Sequence, residues 1–330
     1  MNKILNNIKT TNKPNLFFVG FPKCGTTLLY EYLKLHPKIT VSLTKEPKFF
    51  AKDLIDENKK FSKVKITLIE NEKQYLELFQ KNNIYLADFS PQHSYSKLAP
   101  KNIYEFNKQS KMIIIFREPV SFLYSLHAQN IQNSYEKETN FLKALKLEKV
   151  RKKDKKYLRN VISPKRLFYS ELIKYSLYLQ NYLNEFPKEQ INIFFFEELK
   201  KDNQKIVDEI CEFLNIETIK IERKKVNVRT KIKFRKIRYF IRSSIVPIIS
   251  PIFQKLFSMK TRRKLNSIFN QVVDKFTLQE DKTSKIDPKL KKELMIKFKP
   301  EVVKLNELLH KEGFVEKDFD LLQYWGYDKI

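Results

Sequence analysis

Residues 15–27, NLFFVGFPKCGTT, run from an apolar stretch through a glycine-bounded loop into a helical pattern. Asn15–Gly20 is short and apolar on both faces, as a strand buried between two layers reads. From Thr26 to His36 the pattern turns helical. The connecting loop, Gly20–Thr27 (GFPKCGTT), therefore joins a strand to a helix N-terminus. Backbone N–H groups at such a terminus form an anion site, and glycines let phosphate oxygens approach closely. Read without chemistry, the loop is a turn with a solvated lysine; the strand before it and the helix after it favour the anion cradle.

The alternation continues outward. Ile84–Asp88 (IYLAD), Lys111–Phe116 (KMIIIF) and Gln190–Phe196 (QINIFFF) are further short apolar runs, and Ile39–Leu43 is another. Amphipathic segments such as Glu72–Gln80 lie between them. Ser163–Phe186 opens with Ser163 as N-cap and Pro164 in the first turn. Its Phe168, Leu172, Tyr175, Leu179, Tyr182 and Phe186 recur at three- and four-residue spacing, which predicts one helix. Lys137–Lys156 reads as an exposed helical excursion and Pro288–Glu312 as a helix. Strand–helix alternation with doubly apolar strands predicts an α/β fold, a P-loop-like parallel sheet flanked by helices on both faces. A basic, mainly helical C-terminal portion follows. The expected organisation is a tail over 1–14, a nucleotide-binding core over 15–222 and a basic insertion or lid over 223–287. Residues 288–330 form a helix and tail packed on the core, all within one domain.

Charge narrows the partners. The 330 residues hold 65 Lys and Arg against 38 Asp and Glu, a formal charge of +27. That favours a nucleotide, nucleic acid, acidic glycan or anionic membrane face, without choosing among them. Arg223–Val273 contains no Asp or Glu, and fifteen Lys and Arg fall between Arg223 and Lys264. These are interleaved with Ile, Phe and Tyr, so a helix here is basic and amphipathic, suited to an anionic membrane or a polyanion. The plainer alternative is a solvated basic face packed on the domain. Cys24 and Cys211 make no disulfide framework and no zinc ligand set. MNKILNNIKTTNKPN lacks the apolar run of a signal peptide, and Ser243–Gln254, the most apolar stretch, is too short to span a bilayer. The expectation is a cytoplasmic chain, with peripheral membrane contact through 223–264 left open.

The loop is similar to the phosphate-binding pattern GxxxxGK[ST] but departs from it. Thr26 follows the second glycine, and the lysine lies inside the loop as Lys23. In nucleotide-hydrolysing proteins with that pattern, a second strand ends in an Asp that helps hold magnesium. Here MIIIF runs into Arg117, which cannot hold a metal but can fork onto a phosphate. Two cationic stations without an evident metal ligand disfavour a kinase with an altered loop.

Phe17–Leu33 (FFVGFPKCGTTLLYEYL) resembles the 5′-phosphosulfate loop of the sulfotransferases that use 3′-phosphoadenosine 5′-phosphosulfate, in their glycan/heparan-type or bacterial branches. Lys111–Gln129 (KMIIIFREPVSFLYSLHAQ) resembles their 3′-phosphate motif: a strand, an arginine, and a serine eight residues on. The resemblance continues through residues 175–216. It implies that nucleotide as donor substrate, with no metal. It places Lys23 beside the oxygen bridging sulfur and phosphorus, where charge grows as that bond breaks. The amides of Cys24, Gly25, Thr26 and Thr27, with the two threonine hydroxyls, complete the cradle; Cys24 otherwise reads as a small loop residue. Arg117 and Ser125 grip the 3′-phosphate, with Ser121 on the same helix face. Tyr124 and His127, on that helix, are expected in core or surface roles. The segment around KKVNVR closes over the nucleotide through Lys224, Lys225 or Arg229.

An acceptor hydroxyl must lose a proton as it attacks sulfur, so a base is required within hydrogen-bond reach. Glu46, in TKEPKFF, lies in a segment resembling the one that carries the catalytic glutamate of heparan-type enzymes. His93, in DFSPQHSYS, follows Ile84–Asp88, where other members place a catalytic histidine or substrate contacts. Both stand as candidates, and Lys45 and Lys48 keep Glu46 ionised. The acceptor implied is a hydroxyl or amine, preferably of a carbohydrate, for which the basic surface suits an acidic polysaccharide. Nucleic acid is not the expected partner. A basic membrane- or nucleic-acid-binding protein on a sulfotransferase scaffold is the competing reading, and intact Lys23, Arg117 and Ser125 argue against it.

Overall fold

The computed structural model describes residues 13–63, 69–80, 83–222, 230–246, 248–249, 256, 259–280 and 286–330. The apolar runs become strands: β1 (Leu16–Phe18), β2 (Ile39–Val41), β3 (Tyr85–Asp88), β4 (Lys111–Phe116) and β5 (Ile191–Phe195). They form one sheet in the order β2-β3-β1-β4-β5, every pairing parallel. The runs without polar interruption take the centre. Leu16, Phe17 and Phe18 are fully buried, as are Ile113, Ile115 and Phe116 of β4. Phe18 stacks on Phe89 with ring centroids 3.9 Å apart.

The chain starts at the centre, moves out to β2, returns to β3, and then crosses β1 to reach β4. A reversal of this kind opens a crevice at the carboxyl ends of the strands. Because all strands are parallel, the loops after β1, β2, β3 and β4 leave from that same edge. α1 (Thr26–Leu33) packs against the helix Asn203–Leu214. The helix Pro288–Lys311 packs against both Pro119–Gln132 and Tyr175–Leu183, burying Leu294, Phe298, Val302, Leu305 and Leu309 in the main core.

Ser163–Phe186 is not one helix. It divides into a short 3-10 turn, Pro164–Leu167, and two helices, Tyr169–Leu172 and Tyr175–Leu183. The periodicity is real, but side chains, two of them from elsewhere in the chain, take over the backbone groups at the breaks. Asn130 Nδ2 donates to the Arg166 carbonyl (3.1 Å), the Ser170 amide donates to Glu148 Oε2 (2.9 Å), and the Tyr178 hydroxyl donates to the Glu171 carbonyl (2.8 Å). The lysine-rich excursion is helical over Phe141–Lys146 and Glu148–Lys153 but only partly exposed. Its Arg151 is buried and pairs with Glu136 at 2.7 Å, and Glu136 also accepts the Tyr169 hydroxyl at 3.1 Å.

The described part of the basic stretch grows from a small antiparallel hairpin, β6 (Thr230–Ile232) with β7 (Leu278–Glu280). The hairpin carries the helices Arg235–Phe240 and Met259–Thr277, which pack on each other. Among the described residues no helix is long and apolar enough to cross a membrane.

The Glu136–Arg151 pair yields a stability test. Arg151→Ala leaves a buried carboxylate without its cation, a loss of about 3–5 kcal/mol. The denaturant midpoint should fall accordingly at an unchanged m-value. A midpoint within about 0.5 kcal/mol of wild type, the range of ordinary surface substitutions, would show that the pair does not hold the excursion.

Candidate active site

The four loops at the carboxyl edge of the sheet and one face of the helix Pro119–Gln132 line a cavity of about 1310 Å³. Lys23, Gly25, Thr26 and Thr27 reach it from the loop after β1, and Lys45, Glu46 and Lys48 from the loop after β2. Gln92 comes from the loop after β3, and Arg117 from the end of β4. Ser121, Tyr124 and Ser125 face it from the helix.

The phosphate loop owes its shape to two glycines. At Gly20 a Cβ would lie 3.1 Å from the Ile115 Cβ, tighter than ordinary contacts, so glycine spares the neighbouring strand a shift of a few tenths of an ångström. Gly25 caps α1 with φ 85°, a left-handed conformation that glycine adopts without a Cβ clash. The Cys24 amide turns inward and donates to the Phe21 carbonyl at 3.2 Å. The amides of Gly25, Thr26 and Thr27 instead open the first turn of α1, where a helix supplies no partner. The cradle is thus one residue shorter than the sequence implies. The Cys24 thiol is buried, 3.7 Å from the Pro22 carbonyl, and burial pushes its pKa far up, which suits packing rather than nucleophilic chemistry.

Lys23 takes a left-handed backbone (φ 66°), and its carbonyl accepts a hydrogen bond from Arg117 Nη1 at 2.8 Å. Burial, then the nearby cations Arg117, Arg166 and Lys45, lower the Lys23 pKa to about 8. The Arg117 guanidinium lies 4.4 Å over the Phe196 ring, and its buried Nε has no partner. An unpaired buried donor is costly, and a bound anion would relieve it. The helix that follows is held at its start. Glu118 accepts from the amides of Val120 (2.8 Å) and Ser121 (2.7 Å), and Tyr327 of the C-terminal tail donates to the same carboxylate at 2.7 Å. Trp325 Nε1 donates to Glu197, which in turn accepts from the Glu118 amide. The Lys23 ammonium and the first-turn amides, with the Arg117 guanidinium and the Ser121 and Ser125 hydroxyls on the same cavity, make a donor set that fits phosphate groups.

Glu46 stands on a left-handed residue (φ 64°), as does Lys48 (φ 63°). Among the described residues, three of the five non-glycine residues in that conformation are thus charged groups of this cavity, which concentrates backbone strain at the site. Glu46 is ion-paired with Lys45 at 3.0 Å and Lys48 at 3.9 Å, and accepts from Gln92 Nε2 at 3.2 Å. Burial raises its pKa, but the two lysines and these hydrogen bonds outweigh it and bring the group down to about 2.

His93 goes elsewhere. It is fully buried, stands edge-on to Phe50 at 5.8 Å, and lacks a partner at either ring nitrogen. Burial, with a smaller push from Lys48, lowers its pKa to about 3, and it does not line the cavity. Asp88, which ends β3, is also behind the wall, accepting the Tyr75 hydroxyl at 2.8 Å, with burial raising its pKa to about 7. Neither β3 nor β4 therefore delivers a carboxylate to the phosphate loop. Among the described residues no three His, Cys, Asp or Glu side chains converge as a metal site.

Several wall residues carry no sequence signal. Arg166 is 6% exposed and is held by Asn130 Oδ1 (3.1 Å) and Gln129 Oε1 (2.7 Å), so two neutral amides leave its charge intact. Gln92, beside His93, holds the glutamate. Tyr124 faces the cavity, whereas His127 is buried and bonds to the Glu138 carbonyl at 2.8 Å. Arg238 comes from the basic stretch and lines the far wall, paired with Asp274 at 2.7 Å and donating to Thr277 Oγ1 at 2.6 Å. Lys224, Lys225 and Arg229 lie outside the described residues.

A family model described as "Sulfotransferase domain" matches residues 13–277. Over 254 residues the chain is 24% identical to carbohydrate sulfotransferase 15 of Mus musculus, covering 62% of this chain and 44% of that protein. Over 215 residues it is 25% identical to heparan sulfate glucosamine 3-O-sulfotransferase 5 of Mus musculus, covering 62% and 54%. The chain spans about half the length of the curated relatives it matches. The solved sulfotransferase from Alicyclobacillus acidocaldarius superposes with a TM-score of 0.64 at 21% identity, over 95% of this chain and 99% of that one, a likeness of fold.

The depressed Lys23 pKa gives the cavity a pH signature. Below about pH 8 the ammonium is charged and meets an anion directly; above it, binding must first take up a proton. Affinity for pyrophosphate, read by calorimetry, should fall as pH rises through 8, by up to about tenfold per pH unit. Lys23→Met should weaken binding and abolish that step. A step that persists in the variant belongs to another group.

Proposed function

The chain belongs to the sulfotransferase family, and we propose that it moves a sulfuryl group from 3′-phosphoadenosine 5′-phosphosulfate to a carbohydrate hydroxyl or amine. The observation that carries this reading is the cavity's pairing of phosphate stations with a base. Lys23, Gly25, Thr26 and Thr27 of the loop, Arg117 at the end of β4, and Ser121 and Ser125 of the following helix line one cavity, and the Glu46 carboxylate faces the same space. In this reading the acceptor oxygen forms a bond to sulfur as the bond from sulfur to the bridging oxygen breaks. The electron pair stays on the departing phosphate, where the fixed Lys23 ammonium meets the developing charge. The acceptor proton goes to Glu46.

Glu46 receives this role over His93 because it lines the cavity, whereas His93 is enclosed. A carboxyl held near 2 is a weak base, but the lysines that hold it there also line the cavity. An anionic donor competes for Lys45 and Lys48, and each contact they cede raises the proton affinity of the carboxylate. The kinase alternative loses ground because Asp88 is turned away from the phosphate loop. The carbohydrate acceptor rests on the likeness of the Glu46 segment to glycan-type enzymes and on the carbohydrate and heparan sulfate relatives.

Two measurements test the reading. The spent donor, 3′-phosphoadenosine 5′-phosphate, should raise Tm without added metal, since at about 100 times Kd a ligand adds roughly 2.7 kcal/mol to stability. Stabilisation by ATP with magnesium, and none by the bisphosphate, would hand the site to the kinase alternative. Separately, Glu46→Gln should lower turnover on a glycan acceptor by about 100- to 10,000-fold at saturating donor, with donor affinity nearly unchanged. Glutamine keeps the size and the hydrogen bonding but cannot take the proton. Near-normal turnover in this variant across about pH 5–9 would remove the glutamate from the proton's path.

A further inference from the structure

One surface outside the cavity has a chemistry that sulfuryl transfer does not use. The helix Met259–Thr277 exposes Ile268, Phe269, Val272 and Phe276, the last at 70%. Their spacing places them on a single helical face. The helix Arg235–Phe240 and the residue before it add Phe234, Ile237 and Phe240, and Ile248, Ile249 and Leu256 are exposed as well. Ten of the eighteen large apolar side chains exposed among the described residues thus fall between Phe234 and Phe276. Scattered exposed hydrophobics are ordinary, but a concentration of them marks an interaction surface. The two helices form one unit, joined by the buried Arg238 to Asp274 and Thr277.

Charge identifies what covers this face. Between Phe234 and Phe276 the sequence holds ten Lys and Arg against one acid, Asp274, and that acid is already paired with the buried Arg238. A polyanion in solution would answer the cations but leave ten apolar groups in water. A second copy of the chain would cover the apolar groups but oppose like charges. An anionic bilayer answers both: acyl chains receive the apolar side chains, and headgroup phosphates receive the cations.

We propose that the helices Arg235–Phe240 and Met259–Thr277, with Phe234, dock on an anionic lipid surface. The same unit forms part of the cavity wall through Arg238 and Asp274, next to Leu278 and Gln279 of β7, so docking brings that wall to the membrane side of the protein. The inference is independent of the transfer reaction, and its test reads binding alone.

The full chain is sedimented with vesicles of phosphatidylcholine, either pure or carrying about 30% phosphatidylglycerol, over a salt series. Partitioning should favour the anionic vesicles by more than about tenfold, since each basic residue near such a surface contributes roughly fivefold. It should weaken as salt rises. The double substitution Phe269→Ser, Phe276→Ser touches exposed positions outside the cavity. It should lower partitioning at least about tenfold, near the cost of removing two apolar anchors, while Tm stays within a few degrees. Equal partitioning to both vesicle types overturns the proposal, and so does full retention by the double variant, which would indicate a purely electrostatic polyanion contact. A lipid-free dimer in sedimentation equilibrium that the double variant abolishes would assign the face to a second copy instead.

Discussion

The hydrogen bond from Arg117 Nη1 to the Lys23 carbonyl, 2.8 Å long, ties the phosphate loop to the end of the neighbouring strand. With Lys23 in a left-handed conformation, its carbonyl turns to the arginine and its side chain to the cavity. Charge-assisted hydrogen bonds of this kind are among the stronger ones, each worth about 1.5–3 kcal/mol. Arg117 can make it only because β4 runs beside β1, with Phe17 opposite Met112 and Phe18 opposite Ile113. Gly20, against Ile115, eases that approach. Behind the arginine, the Phe196 ring, the Tyr175 hydroxyl on the Arg117 carbonyl and the Glu118–Tyr327 contact hold the next turn. The C-terminal tail, far away in sequence, is thereby part of the support of the arginine station.

Electrostatics explains why this scaffold suits an anion. Seven Lys and Arg line the cavity against two carboxylates, Glu46 and Asp274. Each carboxylate is already committed, Glu46 to Lys45 and Lys48, Asp274 to Arg238. Lys23, Arg117 and Arg166 have no acidic partner among the described residues, and the Lys23 pKa is lowered first by burial and then by the repulsion of its neighbouring cations. A phosphate-bearing ligand replaces that repulsion with attraction, using donors fixed before it arrives. Preorganised charge of this type needs no rearrangement during reaction.

The strands, the strand–loop–helix turn at Gly20–Thr27 and the positions of Lys23 and Arg117 on one cavity were legible because each depends on a local pattern: an apolar run, a glycine, a cation at a strand end. What escaped depends on contacts distant in sequence. The break in Ser163–Phe186 arises because Asn130 and Glu148 supply partners that periodicity cannot register. Arg166 belongs to the wall because Gln129 and Asn130, more than thirty residues earlier, hold it there. His93 and Gln92 show the finest limit. They are adjacent in one 3-10 turn, Pro91–Tyr95, where a single step in register decides which side chain faces the cavity and which the core. Gln92 takes the cavity and holds Glu46, while His93 packs on Phe50.

The basic stretch shows how geometry divides a charge that composition leaves undivided. Its sequence offers no internal counter-ion between Arg223 and Val273. Asp274, the first acid beyond it, is the one Arg238 reaches, and this contact closes two helices onto the end of Pro119–Gln132. Arg238 is buried at that junction, so its cation serves the cavity wall. Phe234, Ile237 and Phe240 flank it in sequence yet remain in solvent. One short helix therefore has two faces, one closing the cavity and one left for a surface outside it. An amphipathic helix that only covered its own domain would bury its apolar side and expose its cations. Here the order is reversed at Arg238, and that reversal separates a charge held in the cavity wall from an apolar face outside it.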